Sequence, residues 1–114
     1  MTEIREINIK YDFPTASDAV KRVTYHIHEG KRGGVKILKF IHGYGSSGKG
    51  GRIRTEVRAY LQAQKQKRII RDWIAGDEFT IFNKKVLDAF LLCDALRRDS
   101  DLERHNNGVT FVVL

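Results

Sequence analysis

Ile41-His42-Gly43-Tyr44-Gly45-Ser46-Ser47-Gly48-Lys49-Gly50-Gly51-Arg52-Ile53-Arg54 joins an apolar run to a helical pattern through five glycines, with three cations among and behind them. Glycine lets backbone N–H groups approach a ligand closely, and a helix start supplies unsatisfied N–H groups and the positive end of a dipole. Lys49, Arg52 and Arg54 add full positive charge. Strand, glycine loop and helix therefore form a corner of an α/β fold shaped for phosphate. A plain turn with solvated charges is the alternative, and the density of glycine beside His42 favours the anion site.

The periodicity on either side extends this corner into a fold. Val35, Ile37, Leu38, Phe40 and Ile41 are nearly continuous and apolar, as in a strand covered on both faces. Ile7, Ile9, Tyr11 and Phe13 alternate as one face of an earlier strand that Pro14 ends. Between them Ala16, Ala19, Val20, Val23 and Ile27 recur at helical spacing, with Thr15 as N-cap and Gly30 and Gly33-Gly34 as stops. Downstream, the spacing predicts a helix over 51–64, with Ile53, Val57, Tyr60 and Leu61 inward. A third strand follows over 69–74, then a short helix over 83–92 with Val86, Leu87, Phe90 and Leu91 inward, and a last strand over 109–114. The order βαβαβαβ predicts one α/β domain spanning residues 1–114, a two-layer sandwich on a mixed four-stranded sheet. Such sheets bind ligands at the carboxyl ends of their strands, where the glycine loop lies.

Charge narrows the ligand. The chain carries a formal net charge of +7, and residues 49–71 hold eight cations (Lys49, Arg52, Arg54, Arg58, Lys65, Lys67, Arg68, Arg71) against one acid, Glu56. The whole excess falls in this segment. A localised cationic stripe attracts nucleic acid by counterion release, whereas a small phosphate does not need eight positive charges. Arg54 and Arg58 lie one helical turn apart, so the sequence predicts that both reach one phosphate track. Gly43-x-x-x-x-Gly48-Lys49 also matches most of a nucleotide-binding P-loop. Gly50, however, stands where that loop needs a magnesium-binding hydroxyl, so ATP or GTP hydrolysis is set aside and a nucleotide or phosphometabolite binder remains a distant alternative.

Cys93 is the only cysteine, which excludes an internal disulfide and suits a cytoplasmic setting. No apolar run approaches membrane-spanning length and no leader pattern opens the chain, so the expected partner is DNA or RNA and no membrane. The oligomeric state is open, a monomer included. His26 and His28 fall on different helix faces, which disfavours a shared metal, and Asp99, Asp101 and Glu103 read as a solvated loop.

The stretch from Ile41 to Gly50 resembles the His-Gly-x-Gly signature of the Smr (small MutS-related) domain. Asn107-Gly108-Val109-Thr110-Phe111-Val112-Val113-Leu114 looks like that family's closing Gly-x-Thr strand, and Ser17-Asp18-Ala19-Val20 like the start of its first helix. The resemblance implies a fold similar to the C-terminal domain of a translation initiation factor. It also implies binding of DNA or RNA and, in several members, nicking or endonucleolytic cleavage. The loop that carries the resemblance supplies Gly43, Tyr44, Gly45, Ser46, Ser47, Gly48 and Lys49 as binding residues, and the charge pattern adds Arg52, Arg54 and Arg58. Many members also bear Leu-Asp-x-His-Gly on the first strand. The matching segment here is Ile9-Lys10-Tyr11-Asp12-Phe13, with Lys10 at the acid's place and Asp12 at the histidine's.

Phosphodiester hydrolysis needs an activated water and cations around the transferring phosphate. From the residues, His42 is the candidate proton acceptor, Lys49 and Arg52 the charge stabilisers, and Asp12 the group to orient His42 or help hold one magnesium ion. The competing role for His42 is to hydrogen-bond the loop into shape. A binding module that docks on nucleic acid or on a partner such as the ribosome, and cuts nothing, is the corresponding alternative to an endonuclease. Tyr44 is a candidate for stacking on an unpaired base.

Overall fold

A computed structural model describes residues 3–44 and 50–114. The chain runs β1 (Ile4–Asn8), α1 (Ala16–Arg32), β2 (Ile37–Ile41), α2 (Gly50–Gln66), β3 (Asp72–Ala75), α3 (Lys84–Leu92) and β4 (Val109–Val113), with 3₁₀ turns at Gly76–Glu78 and Asp94–Arg98. The expected βαβαβαβ order and the mixed four-stranded sheet are both present. The sheet order is β1-β2-β4-β3. β1 and β2 are parallel, and β4 inserts antiparallel between β2 and β3, pairing Phe40 with Thr110 and Ile74 with Phe111. Among the described residues no helix is long and apolar enough to cross a membrane.

Alternation along the strands divides the core in two. Leu38, Phe40 and Val112 face α1 and α2, where Val23, Ile27, Val57 and Leu61 close over them. Ile37, Ile74, Phe111 and Val113 face the other way, onto Val86, Phe90, Leu96 and Phe79. The sandwich expected with α1 and α2 thus gains a partial third layer, because α3 and the turns around it cover the second face of β2, β4 and β3. The inward face of α3 also differs from expectation. Val86, Ala89 and Phe90 are buried at i, i+3 and i+4, which rotates Leu87 and Leu91 outward to 44% and 81% exposure.

Other differences have local causes. β1 stops at Asn8 rather than running on through Phe13, because Arg22 reaches from α1 and donates to the carbonyls of Ile9 (3.2 Å) and Tyr11 (2.7 Å), turning the chain away. α1 passes through Gly30 to Arg32. A Cβ at Gly30 would stand 2.8 Å from Leu114 Cδ1 and 3.3 Å from Leu38 Cδ2, so this glycine permits a close helix approach and ends nothing. Ile69 and Ile70 precede β3 instead of starting it. Ile69 N–H closes α2 on the Gln64 carbonyl and Arg68 N–H bonds Lys65, with Arg68 left-handed at φ 61°.

The N-cap of α1 is as expected, with Thr15 Oγ1 accepting from Asp18 N–H at 3.1 Å. Thr15→Ala should therefore cost about 1 kcal/mol in urea unfolding, while Thr15→Ser should cost little. A loss below about 0.3 kcal/mol for the alanine variant would show that the cap contributes nothing measurable.

Candidate nucleic-acid interface

The carboxyl ends of β1 and β2 and the start of β4 build the site. Beyond Ile41 the β2–β4 ladder adds one more rung, and the Gly108 carbonyl accepts from both His42 N–H and Gly43 N–H at 3.0 Å. Gly43 has φ 81°, a left-handed angle that a side chain resists, and this turns the chain off the sheet into the glycine loop. Gly43 therefore shapes the loop, and its N–H is already bonded within the protein. Gly45, Ser46, Ser47, Gly48 and Lys49 lie outside the described residues.

His42 is 1% exposed. Its Nδ1 lies 3.0 Å from the Gly43 carbonyl, which can only accept, so Nδ1 carries the proton. Nε2 then accepts from the Thr110 hydroxyl at 2.8 Å, and that oxygen in turn accepts from Arg58 Nε at 3.0 Å. Every donor in this chain has an acceptor, and the ring must be neutral for it to hold. Burial pushes the His42 pKa down to about 4; the Gly43 bond opposes this, and the nearby Arg58 and Arg54 charges reinforce it. Both ring nitrogens are occupied inside the protein. Asp12 therefore does not orient His42, and no phosphate or water reaches the ring without breaking one of these bonds.

Arg58 corrects a second expectation. Its Nη1 donates to Asn107 Oδ1 at 2.9 Å and its Nη2 to the Val109 carbonyl at 3.2 Å, in addition to the Thr110 bond. Asp77 lies 3.8 Å away, and only 17% of the Arg58 side chain is exposed. Burial lowers its pKa from the ordinary arginine value. The guanidinium is thus spent on fixing the start of β4 and is not free for a phosphate track. Arg54, one turn earlier, is half-buried and reaches the Tyr44 carbonyl at 3.4 Å. Tyr44 is 66% exposed and lies over Gly108, whose Cβ position is 3.4 Å from its ring.

Arg52 projects from the first turn of α2, its side chain 77% exposed in an ion pair with Glu56. Lys10, in the place where the Smr resemblance sets an acid, contributes what the sequence reading missed. The Lys10 side chain lies over Gly43, with Cδ 3.4 Å and Nζ 3.9 Å from where a Cβ would stand. The signal was the cation itself, read as a lost acid and not as a gained contact. The charged segment 49–71, by contrast, does not form one stripe. Arg52 and Arg54 stand at the glycine-loop end of α2, while Lys65, Arg68 and Arg71 line a separate cavity with Lys31 and Leu114 at the other end. The run of α2 from Arg54 to Lys65 separates the two groups by about 17 Å along the helix axis.

Among the described residues no three His, Cys, Asp or Glu side chains gather to hold a metal ion. Asp12 is exposed, with a left-handed φ of 65°. Compared with known families, curated proteins and solved structures, the chain matches none.

Proposed function

We propose that the chain is a nucleic-acid-binding domain of the Smr kind, which docks on the phosphate backbone of DNA or RNA through the carboxyl ends of β1 and β2. The observation that carries this reading is the convergence of Lys10 and Arg54 on the His42-Gly43-Tyr44 root of the glycine loop, with Arg52 beside them. Cations on a helix and a strand end read backbone charge rather than base edges, so little sequence specificity is expected. His42 serves this site as a buried support. The non-catalytic docking reading is the one its geometry favours, since cleavage would have to draw its proton acceptor from another group.

The reading is tested with a Lys10→Gln/Arg54→Gln variant in anisotropy titrations against DNA and RNA duplexes over a range of salt concentrations. Affinity should fall about tenfold or more, and the slope of log K against log salt should flatten by about two. The fold should be retained, because Lys10 is exposed and Arg54 half-exposed. Unchanged affinity and slope would rule out this face. Arg58→Gln is the contrasting variant, expected to lower stability before it alters the salt slope.

A further inference from the structure

The loop between β1 and α1 holds a feature that phosphate binding leaves unexplained. Phe13 is 94% exposed and sits at φ 48°, directly after Asp12 at φ 65°. Two successive left-handed residues that are not glycine are costly, and for an aromatic side chain such an angle is an outlier. Water around the ring adds to that cost, since the side chain gains nothing from burial. The loop is nevertheless tied to α1. Arg22 grips the Ile9 and Tyr11 carbonyls and stacks its guanidinium over the Tyr11 ring at 3.9 Å, while Pro14 is buried behind Phe13.

Phe13 and Pro14 form one wall of a cavity of about 400 Å³, closed by the first turn of α1 and by Arg52 and Glu56 of α2. That volume is within the range of about 300–1,000 Å³ typical of small-molecule sites. The cavity offers an aromatic face and a guanidinium at the same mouth. Among the described residues Arg52 is tied to Glu56, in an exposed pair that contributes little and yields readily to a phosphate. Glu56 is an acid on the lining itself, which disfavours a free polyphosphate and suits a single phosphodiester with an uncharged ring attached.

We infer that this cavity is a subsite for an unpaired nucleobase, which stacks on Phe13 while its phosphate meets Arg52. The inference rests on the nucleic-acid reading above and deepens it: the domain would favour single-stranded or branched nucleic acid over intact duplex. In a duplex both faces of every internal base are already stacked, whereas a free base gains from any aromatic platform.

Two probes carrying equal numbers of phosphates, a thymidine homopolymer and a blunt duplex, separate this inference from its foundation. Phe13→Ala should weaken binding of the single strand by about tenfold to a hundredfold and leave the duplex within about twofold. Phe13→Gly should weaken it likewise yet raise the thermal midpoint by relieving the strained backbone, a pairing of effects that misfolding does not produce. In a Trp73→Phe background, Phe13→Trp should retain binding and lose indole emission when the homopolymer is added. If Phe13→Ala bound the single strand as tightly as wild type, the stacking subsite would be refuted while the phosphate interface stood. If wild type bound neither probe, both would fall.

Discussion

His42→Ala is expected to destabilise the protein by about 3 kcal/mol, lowering the thermal midpoint by about 10 °C or more, whatever it does to catalysis. The substitution empties a fully buried position and leaves the Thr110 hydroxyl without its acceptor. Thr110→Val should cost a similar amount, and the double variant less than the sum, because both sever the same link between Arg58 and the loop. Acid sharpens the test. The His42 pKa is about 4 when folded and 6.5 when unfolded, so the unfolded chain binds more protons between those values. Stability contributed by the neutral ring is complete above pH 6.5 and should be lost as pH falls to 4, by up to about 3 kcal/mol. His42→Asn should remove that segment of the pH profile. A proton acceptor in catalysis would instead give an activity limb near pH 6.5, with the fold untouched by the alanine variant; that outcome would return His42 to the chemistry.

Where the sequence was legible, the reason is local periodicity. The cap at Thr15, the stripe from Ala19 to Ile27 and the nearly continuous apolar strand before His42 depend on neighbours within a few residues, and those elements fold as their spacing predicts. The site residues depend on contacts far along the chain. Arg58 meets Thr110 at a separation of 52 and His42 meets it at 68, so nothing nearby told a phosphate-contacting arginine from a buried one. Tyr11 and Phe13 fit the alternation of a strand, but the Arg22 clamp that turns the chain comes from the following helix. The cationic segment was contiguous only in one dimension, since the length of α2 carries its two halves to opposite ends of the sheet.

Lys39 carries the second large effect. It lies mid-strand in β2, is 4% exposed, and occupies a position where an apolar side chain would be ordinary. Its ammonium bonds Asp99 at 2.9 Å and Asp101 at 2.6 Å, so those acids do not form the solvated loop that their spacing predicts. Burial alone would lower the Lys39 pKa, but the bonds to Asp101 and Asp99 outweigh it and hold it above the ordinary lysine value. Burial likewise opposes ionisation of Asp101, and Lys39 with Asn106 more than compensates, leaving its pKa below the ordinary one. Removing the cation strands two partly buried carboxylates. Lys39→Met should therefore cost about 3–5 kcal/mol, and adding Asp99→Asn and Asp101→Asn should recover most of the loss. The contribution of Asp101 follows its own pH window: complete above its unfolded pKa of 3.8, it is lost as pH falls further, below the range in which His42 acts.

The consequence reaches the interface. Asp101 accepts from Asn106, whose side-chain oxygen accepts from Gly108 N–H, and the Gly108 carbonyl holds His42 and Gly43. Lys39→Met should thus weaken nucleic-acid binding although Lys39 touches no ligand, and should do so without altering the salt slope of the fraction that remains folded. Urea unfolding and anisotropy titration on the same preparations separate these effects. A Lys39→Met protein within 1 kcal/mol of wild type would mean that the two carboxylates are satisfied by water, and that the loop reaches Gly108 without the clamp.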